Sequence, residues 1–227
     1  MLKSQLPKFL IIPVALFFFS CQKNQSITQN GNSTNSLSAN LKEGKKIGRF
    51  TQTNLVSDVT GMANRTDPTL INAWGLAWAP SGIAWIGSQA GHVSDVYDRE
   101  GNTILGPVNI PSPGASTGGN PTGVVFNPSS GFTLTTGGPA RFIFVGVDGV
   151  ISAWNGAQGT HAARVATVPN SAFTGVTIAS NGADTLLYAA NFAAGKINVW
   201  NKSWAPVNLS FMDRVIPRGF SPFNIQN

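Results

Sequence analysis

The chain has 227 residues, of which 42% are hydrophobic and only 11% charged, with 25 Gly, 14 Pro and a single Cys. Low charge beside so many turn-formers excludes a helical bundle, a coiled coil or an acidic disordered chain, and favours a β-rich fold. One Cys excludes an intramolecular disulfide and, with two His, a Cys/His zinc site.

The net charge of +6 belongs to the beginning of the chain. Residues 1–49 carry seven Lys and Arg against Glu43 alone, whereas residues 50–227 hold eight of each sign. The folded part therefore has no basic excess, and a nucleic-acid partner is excluded as the reading of the charge.

Residues 1–21 read as an export signal: Lys3 and Lys8, then an apolar run from Phe9 to Phe19 broken by Pro13, then Ser20 before Cys21. Eleven helical residues at about 1.5 Å each fall well short of a bilayer core of about 30 Å, so a permanent span is not expected. Phe18-Phe19-Ser20-Cys21 resembles a bacterial lipobox, with Phe18 where Leu is usual. The resemblance implies cleavage before Cys21 and acylation of its thiol and new amine, with the membrane as partner through that anchor. An ordinary signal peptide cut elsewhere is the alternative. Residues 22–49 form a tether, first almost wholly Gln, Asn, Ser, Thr and Gly, then basic from Lys42 to Arg49.

From about Phe50 the sequence repeats. Trp74-Gly75-Leu76-Ala77-Trp78, Thr122-Gly123-Val124-Val125-Phe126 and Thr174-Gly175-Val176-Thr177-Ile178 place their glycines 48 and 52 residues apart. Each leads through a turn into a second apolar run: Ala84 to Gly87, Phe142 to Val147 and Leu186 to Ala190. A third strand alternates at period two and ends on an aromatic followed by Asp or Asn: Val93–Asp98, Val150–Asn155 and Lys196–Asn201. A fourth is expected at Thr103–Ile110, Ala163–Val168 and Val207–Phe211.

Four short strands per repeat of about 50 residues predict an all-β fold, a β-propeller of four-stranded blades, over 50–227. A pair of β-sandwiches is the competing all-β arrangement. Leu55–Val59 reads as an outer strand that pairs with the far end of the chain, and Ser221–Asn227 as the opening strand of a further repeat. The expectation is a truncated propeller, with about three and a half blades of about six. Trp74, Trp78, Trp85, Trp154 and Trp200 are expected in the blade core. Trp204 lies in a turn, where it could stack on a sugar.

Asn54–Val59, Thr66–Asn72, Trp74–Ala77, Pro121–Asn127 and Pro222–Asn227 resemble an uncharacterised family of exported bacterial propellers, some with a PEP-CTERM sorting segment. The resemblance implies fold and export, and no activity. More distantly the repeats are similar to NHL-repeat and gluconolactonase-like propellers, which include binding proteins and metal-dependent hydrolases.

Chemistry-bearing residues are sparse. His92 and His161 stand in turns, no G-x-S-x-G nucleophile motif occurs, and no D-x-D-x-D-G calcium loop is present. Asp98, Asn155 and Asn201 share one repeat position and read as turn caps, and Asp148-Gly149 as a hairpin turn. The ligand-binding candidates are Asn72, Asn120, Asn170 and Asn224 around the opening strands, where amide oxygens at a channel mouth could hold Ca²⁺ or a ligand. Asx-turns are the other explanation for them. No catalytic or metal-ligating residue stands out.

The functional expectation is an exported module, lipid-anchored at Cys21 on the periplasmic side or cell surface. It binds or scaffolds an unknown protein or small molecule. A metal-assisted hydrolase or lactonase of the gluconolactonase-like kind is the second reading, and a non-functional truncation product the third.

Overall fold

The computed structural model describes residues 51–182, 184–211 and 215–226. The signal at 1–21, Cys21 with it, and the tether at 22–49 lie outside the described residues. The chain divides into two units, Met1–Gln52 and Thr53–Asn227, and the second is the one described here.

That unit is all-β, with one short 3-10 turn at Gly156–Gln158. Two small strands come first, β1 (Val56–Ser57) and β2 (Arg65–Thr66). The first sheet follows as β3 (Ala73–Trp78), β4 (Ala84–Ser88), β5 (Val93–Tyr97) and β6 (Thr103–Asn109). The second holds β7 (Pro121–Phe126), β8 (Phe142–Gly146), β9 (Val150–Trp154) and β10 (Ala163–Thr167). The third holds β11 (Phe173–Ser180), β12 (Thr185–Asn191), β13 (Lys196–Asn201) and β14 (Pro206–Val207). Each sheet is a four-stranded antiparallel meander in chain order, as a propeller-like fold requires.

The strands form where alternation and turn residues put them, and short polar turns suit hairpins. The caps expected after each third strand are present. Asp98 Oδ1 accepts the amides of Glu100 and Asn102, and Asn201 Oδ1 accepts those of Ser203 and Ala205. Asn155 Oδ1 accepts the Ala157 amide and opens the 3-10 turn.

First strands of successive sheets lie side by side, β7 between β3 and β11. Glycine sets how closely they approach. A Cβ on Gly75 would lie 2.8 Å from Val124 N, one on Gly123 3.0 Å from Val176 N, and one on Gly175 3.1 Å from Ile225 N. The same backbone atom is met three times, so Ile225 occupies the repeat position of Val124 and Val176. No side chain fits at these glycines without moving backbone, which accounts for Gly in three successive repeats.

The apolar cores lie between sheets. Sheets one and two close over Trp85, Phe142, Phe144, Val96 and Val108, with Trp85 stacked on Phe142 at 4.2 Å and tilted against Trp154 at 4.5 Å. Sheets two and three close over Ile143, Val145, Ile151, Phe173, Leu187 and Trp200. The long β7–β8 connection adds Phe132, fully buried, and Leu134 to this second core.

Four expectations need correction. Trp74 and Trp78 are 41% and 49% exposed, because among the described residues no sheet covers that face of β3. Trp204 is half-buried: its ring lies edge-on against Phe132 at 5.0 Å, and Nε1 donates to Thr133 O at 2.9 Å. It fastens sheet three to the β7–β8 connection instead of facing a sugar. The fourth strand of the last repeat stops at Val207, since Phe211 turns onto Tyr188 at 6.0 Å and does not extend the ladder. Finally, β1 pairs in parallel with nearby β2, and that loop is held by Arg65, whose Nε donates to Gly101 O and Nη2 to Asn102 Oδ1.

Candidate functional site

The loops that enter β3, β7 and β11 lie against the loops joining the second and third strands of each sheet. This edge gathers a chain of polar side chains that bond across sheets. Asn72, at the entry to β3, adopts a left-handed backbone with φ of 52°. Its Nδ2 donates to Gln89 Oε1 at 2.9 Å, and Gln89 Nε2 donates to Asn120 Oδ1 at 3.1 Å. The Asn120 backbone amide then donates to Asp148 Oδ2 at 2.9 Å. The result is a directed relay, Asn72 to Gln89 to Asn120 to Asp148, strung from the first sheet to the second. His92 flanks it with Nδ1 2.8 Å from Gly119 O. A carbonyl only accepts, so this bond puts the proton on Nδ1.

Of the four asparagines expected at a channel mouth, the structure joins Asn72 and Asn120 through Gln89. Asn170 is exposed, with φ of 54°, and stands outside the relay. Asn191 does the corresponding work in the third sheet. It is fully buried, its Nδ2 donates to Ser171 Oγ and Asn198 Oδ1, and its Oδ1 accepts the amides of Ala172 and Ala194. Asn224 sits within the inner-strand segment against Gly175, at the repeat position of Gly123, and not at a loop mouth. His161 is exposed beside Thr160 and takes no part in the relay.

A second cluster lies under the segment that precedes β3. Leu76, Ile86 and Asp95 stand in one row across β3, β4 and β5, so Asp95 faces away from the second sheet. Asp95 is 2% exposed. Thr69 Oγ1 lies 2.6 Å from Asp67 Oδ1 and 2.8 Å from Asp95 Oδ1, and Tyr97 OH donates to Asp67 Oδ2 at 2.8 Å. A hydroxyl carries one proton and satisfies both carboxylates only when one of them is protonated.

Asp95 is the one that takes up the proton as pH falls. Burial pushes its carboxyl up to about 6, offset in part by the Thr69 bond and reinforced by the negative charge of Asp67. At Asp67 burial acts the same way, but bonds from Thr69 and Tyr97 and the charge of Arg65 outweigh it and hold the group below its usual range. Tyr97 is pushed upward by burial and by its bond to Asp67, and stays a donor. Asp95 Oδ2 is buried without a hydrogen-bond partner, as are Ser152 Oγ and Thr174 Oγ1.

Ser88 completes the attachment of this segment, its one hydroxyl proton shared between Thr69 O and Ile71 O. The relay and the carboxyl cluster therefore share one loop, 67–72. Neither was legible as a motif. Gln89, Asp148, Asn191, Thr69 and Asp95 were missed because their partners are 17 to 31 residues away and no short spacing marks them. The one available signal was a polar residue ending or following the second strand of each repeat, at Ser88, Asp148 and Asn191.

Three of the relay's four side chains act as acceptors. Gln89 Oε1 and Asn120 Oδ1 accept within it, and Asp148 uses Oδ2 for Asn120 N and Oδ1 for Val150 N at 3.3 Å. Among the described residues no group of three or more His, Cys, Asp or Glu converges on one point.

No protein-family profile matches the chain. Two uncharacterised proteins of Acanthamoeba polyphaga mimivirus are similar to it, at 29% and 27% identity over 184 residues, each match covering 76% of the chain. The match covers 45% and 48% of those relatives, so the chain spans about half their length. Among solved structures, the dihydro-heme d1 dehydrogenase NirN aligns over 60% of this chain and 37% of its own, at 10% identity and a TM-score of 0.34.

Proposed function

We propose that the chain is an exported β-propeller module, anchored by lipid on Cys21, that binds or scaffolds at a bacterial cell envelope. Its sheets are blades of a ring of about six, and its binding edge is the amide relay from Asn72 to Asp148. The observation that carries this reading is the relay itself. It ties loops of two successive sheets together through side-chain amides, so polar groups stand on fixed loops where a ligand can meet them. A hydrolytic metal centre needs several oxygens converging on one ion. The lipobox-like Phe18-Phe19-Ser20-Cys21 and the tether that follows supply the anchor.

The test sets binding against metal-assisted hydrolysis. Thermal unfolding of the full chain is followed with and without Ca²⁺, and hydrolysis of D-glucono-δ-lactone is measured alongside. An unchanged midpoint and no acceleration of lactone hydrolysis are expected. A midpoint raised by Ca²⁺ together with Ca²⁺-dependent hydrolysis overturns the proposal in favour of the lactonase reading.

A further inference from the structure

Segment 67–72 carries Asn72, the first donor of the relay, and is fastened to the first sheet by polar side chains. Asp67, Thr69 and Leu70 are half-buried, Pro68, Ile71 and Asn72 are exposed, and neither apolar core includes any of them. Thr69 Oγ1 reaches Asp95 of β5, and Asp67 Oδ2 accepts from Tyr97 OH of β5. Ser88 of β4 shares its hydroxyl proton between Thr69 O and Ile71 O. With the segment so seated, Gln89 N donates to Asn72 O and Ala90 N to Ile71 O, both at 3.2 Å.

The Thr69 contact depends on a proton. Thr69 Oγ1 is within hydrogen-bond distance of Asp67 Oδ1 and Asp95 Oδ1 at once. With Asp95 protonated, its O–H donates to Thr69 Oγ1 and Thr69 donates onward to Asp67, so both contacts are hydrogen bonds. With Asp95 ionised, one contact sets oxygen against oxygen with no proton between them, beside the negative charge of Asp67. Asp95 Oδ2 is buried without a partner, which a neutral carboxyl tolerates far better than a carboxylate. Among the described residues no cation pairs with Asp95. In its row stand Leu76 of β3 and Ile86 of β4, Gly106 and Pro107 lie opposite at the β6 bulge, and the charge acting on it is that of Asp67. Arg65 of β2 acts on Asp67, and Tyr97 stays a donor to Asp67.

We infer that segment 67–72 is a proton-operated latch on the amide relay, closed against β5 while Asp95 is protonated and opening more readily once Asp95 ionises. The inference rests on the relay being the binding edge and supplies its regulation. An open segment withdraws Asn72 from Gln89 and leaves Gln89, Asn120 and Asp148 joined. Burial pushes the Asp95 carboxyl up to about 6, against about 3.9 when the segment is open and the group solvated. Between those values the closed state holds the extra proton, so the latch loosens as pH rises from about 4 through 6.

The experiment uses the full chain in mild detergent and follows amide hydrogen exchange by mass spectrometry of fragments at pH 4 and pH 8. The parent is compared with Asp95→Asn, whose amide replaces the protonated carboxyl as donor to Thr69. The amides of Gln89 and Ala90 report the latch, and the Asn120 amide and strand β12 are controls. Parent and variant are expected to exchange alike at pH 4, and the parent about 10-fold or more faster at pH 8, with the controls unchanged. The parent alone, with rates divided by those of the unfolded chain at each pH, is expected to show the same shift. Thr69→Val, which removes the shared hydroxyl, is expected to lose at pH 4 the protection that the parent keeps there. Equal exchange of parent and Asp95→Asn at pH 8, or a Thr69→Val chain as protected as the parent at pH 4, overturns the latch and leaves the binding edge standing. Fast exchange of Asn120 together with Gln89 and Ala90 in the parent at pH 8 overturns both, because the relay is then not a fixed edge.

Discussion

Trp74 stacks on Phe223, with ring centroids 6.1 Å apart and planes inclined by 29°, and Phe192 meets the same Phe223 ring edge-on at 5.9 Å. The first strand of the first sheet thus touches the segment whose Ile225 seats on Gly175. Four inner segments, from β3 through β7 and β11 to the one around Phe223, lie side by side in succession. The relay lies along one edge of this arrangement, so the packing of first strands positions the candidate binding edge.

If glycine sets the spacing of first strands, Gly123→Ala is costly. Its Cβ would lie 2.8 Å from Val145 Cγ2 and 2.9 Å from Val176 Cγ1, besides Val176 N. A loss of about 2–3 kcal/mol in unfolding free energy is expected, since overpacking there moves backbone. Gly114→Ala, with open space around it, should stay within about 0.5 kcal/mol of the parent. Urea denaturation of both variants checks this, and equal losses would contradict it.

The carboxyl cluster makes stability depend on pH. Asp95 titrates near 6 in the folded chain against about 3.9 unfolded. Between those values the folded state holds the extra proton, so the contribution of Asp95 is fully present below about pH 4. It is lost as pH rises through 6. Asp95→Asn, which cannot ionise, should be more stable than the parent at pH 8 by about 2 kcal/mol, with the gap closing toward pH 4. Asp67 acts oppositely and only in acid, because its folded value is depressed. Thermal unfolding from pH 4 to 8 checks the sign; a parent that gains on Asp95→Asn as pH rises would contradict it.

Loop pins differ by burial. Asn191→Ala empties a fully buried side-chain position and leaves the half-buried Ala172 amide and Ser171 Oγ without their partner, and should cost about 2–3 kcal/mol. Gln89→Ala breaks the relay where water can replace it and should cost less than about 1 kcal/mol. Chemical denaturation orders the two, and a larger cost for Gln89→Ala would contradict the assignment.

Trp204 separates packing from hydrogen bonding. Trp204→Phe keeps a ring against Phe132 but loses the bond to Thr133 O, for about 1 kcal/mol. Trp204→Ala should cost about 3 kcal/mol, as loss of a large packed ring does. Equal effects of the two substitutions would mean that the ring contributes nothing.

Strand positions were legible because each alternates at period two between turn residues, and the three glycines gave the repeat before any contact was known. Trp74 and Trp78 were misplaced for a physical reason: periodicity tells which face a side chain is on, and not whether another sheet covers it. The caps Asp98, Asn155 and Asn201 were legible because they bond to amides two to four residues on. Asp67 with Asp95, and Asn72 with Gln89 and Asn120, are products of stacking distant loops, and no local pattern encodes them. Asn120 was found as an asparagine near a strand, while its partner Asp148 read only as a turn.

The anchor on Cys21 is tested most directly by the intact mass of the mature chain from the membrane fraction, beside a Cys21→Ser variant partitioned in detergent. The expected result is a chain beginning at Cys21 that carries acyl groups and enters the detergent phase, with Cys21→Ser in the aqueous phase. An unmodified Cys21, or a Cys21→Ser variant that still partitions with detergent, would contradict an envelope module held by lipid.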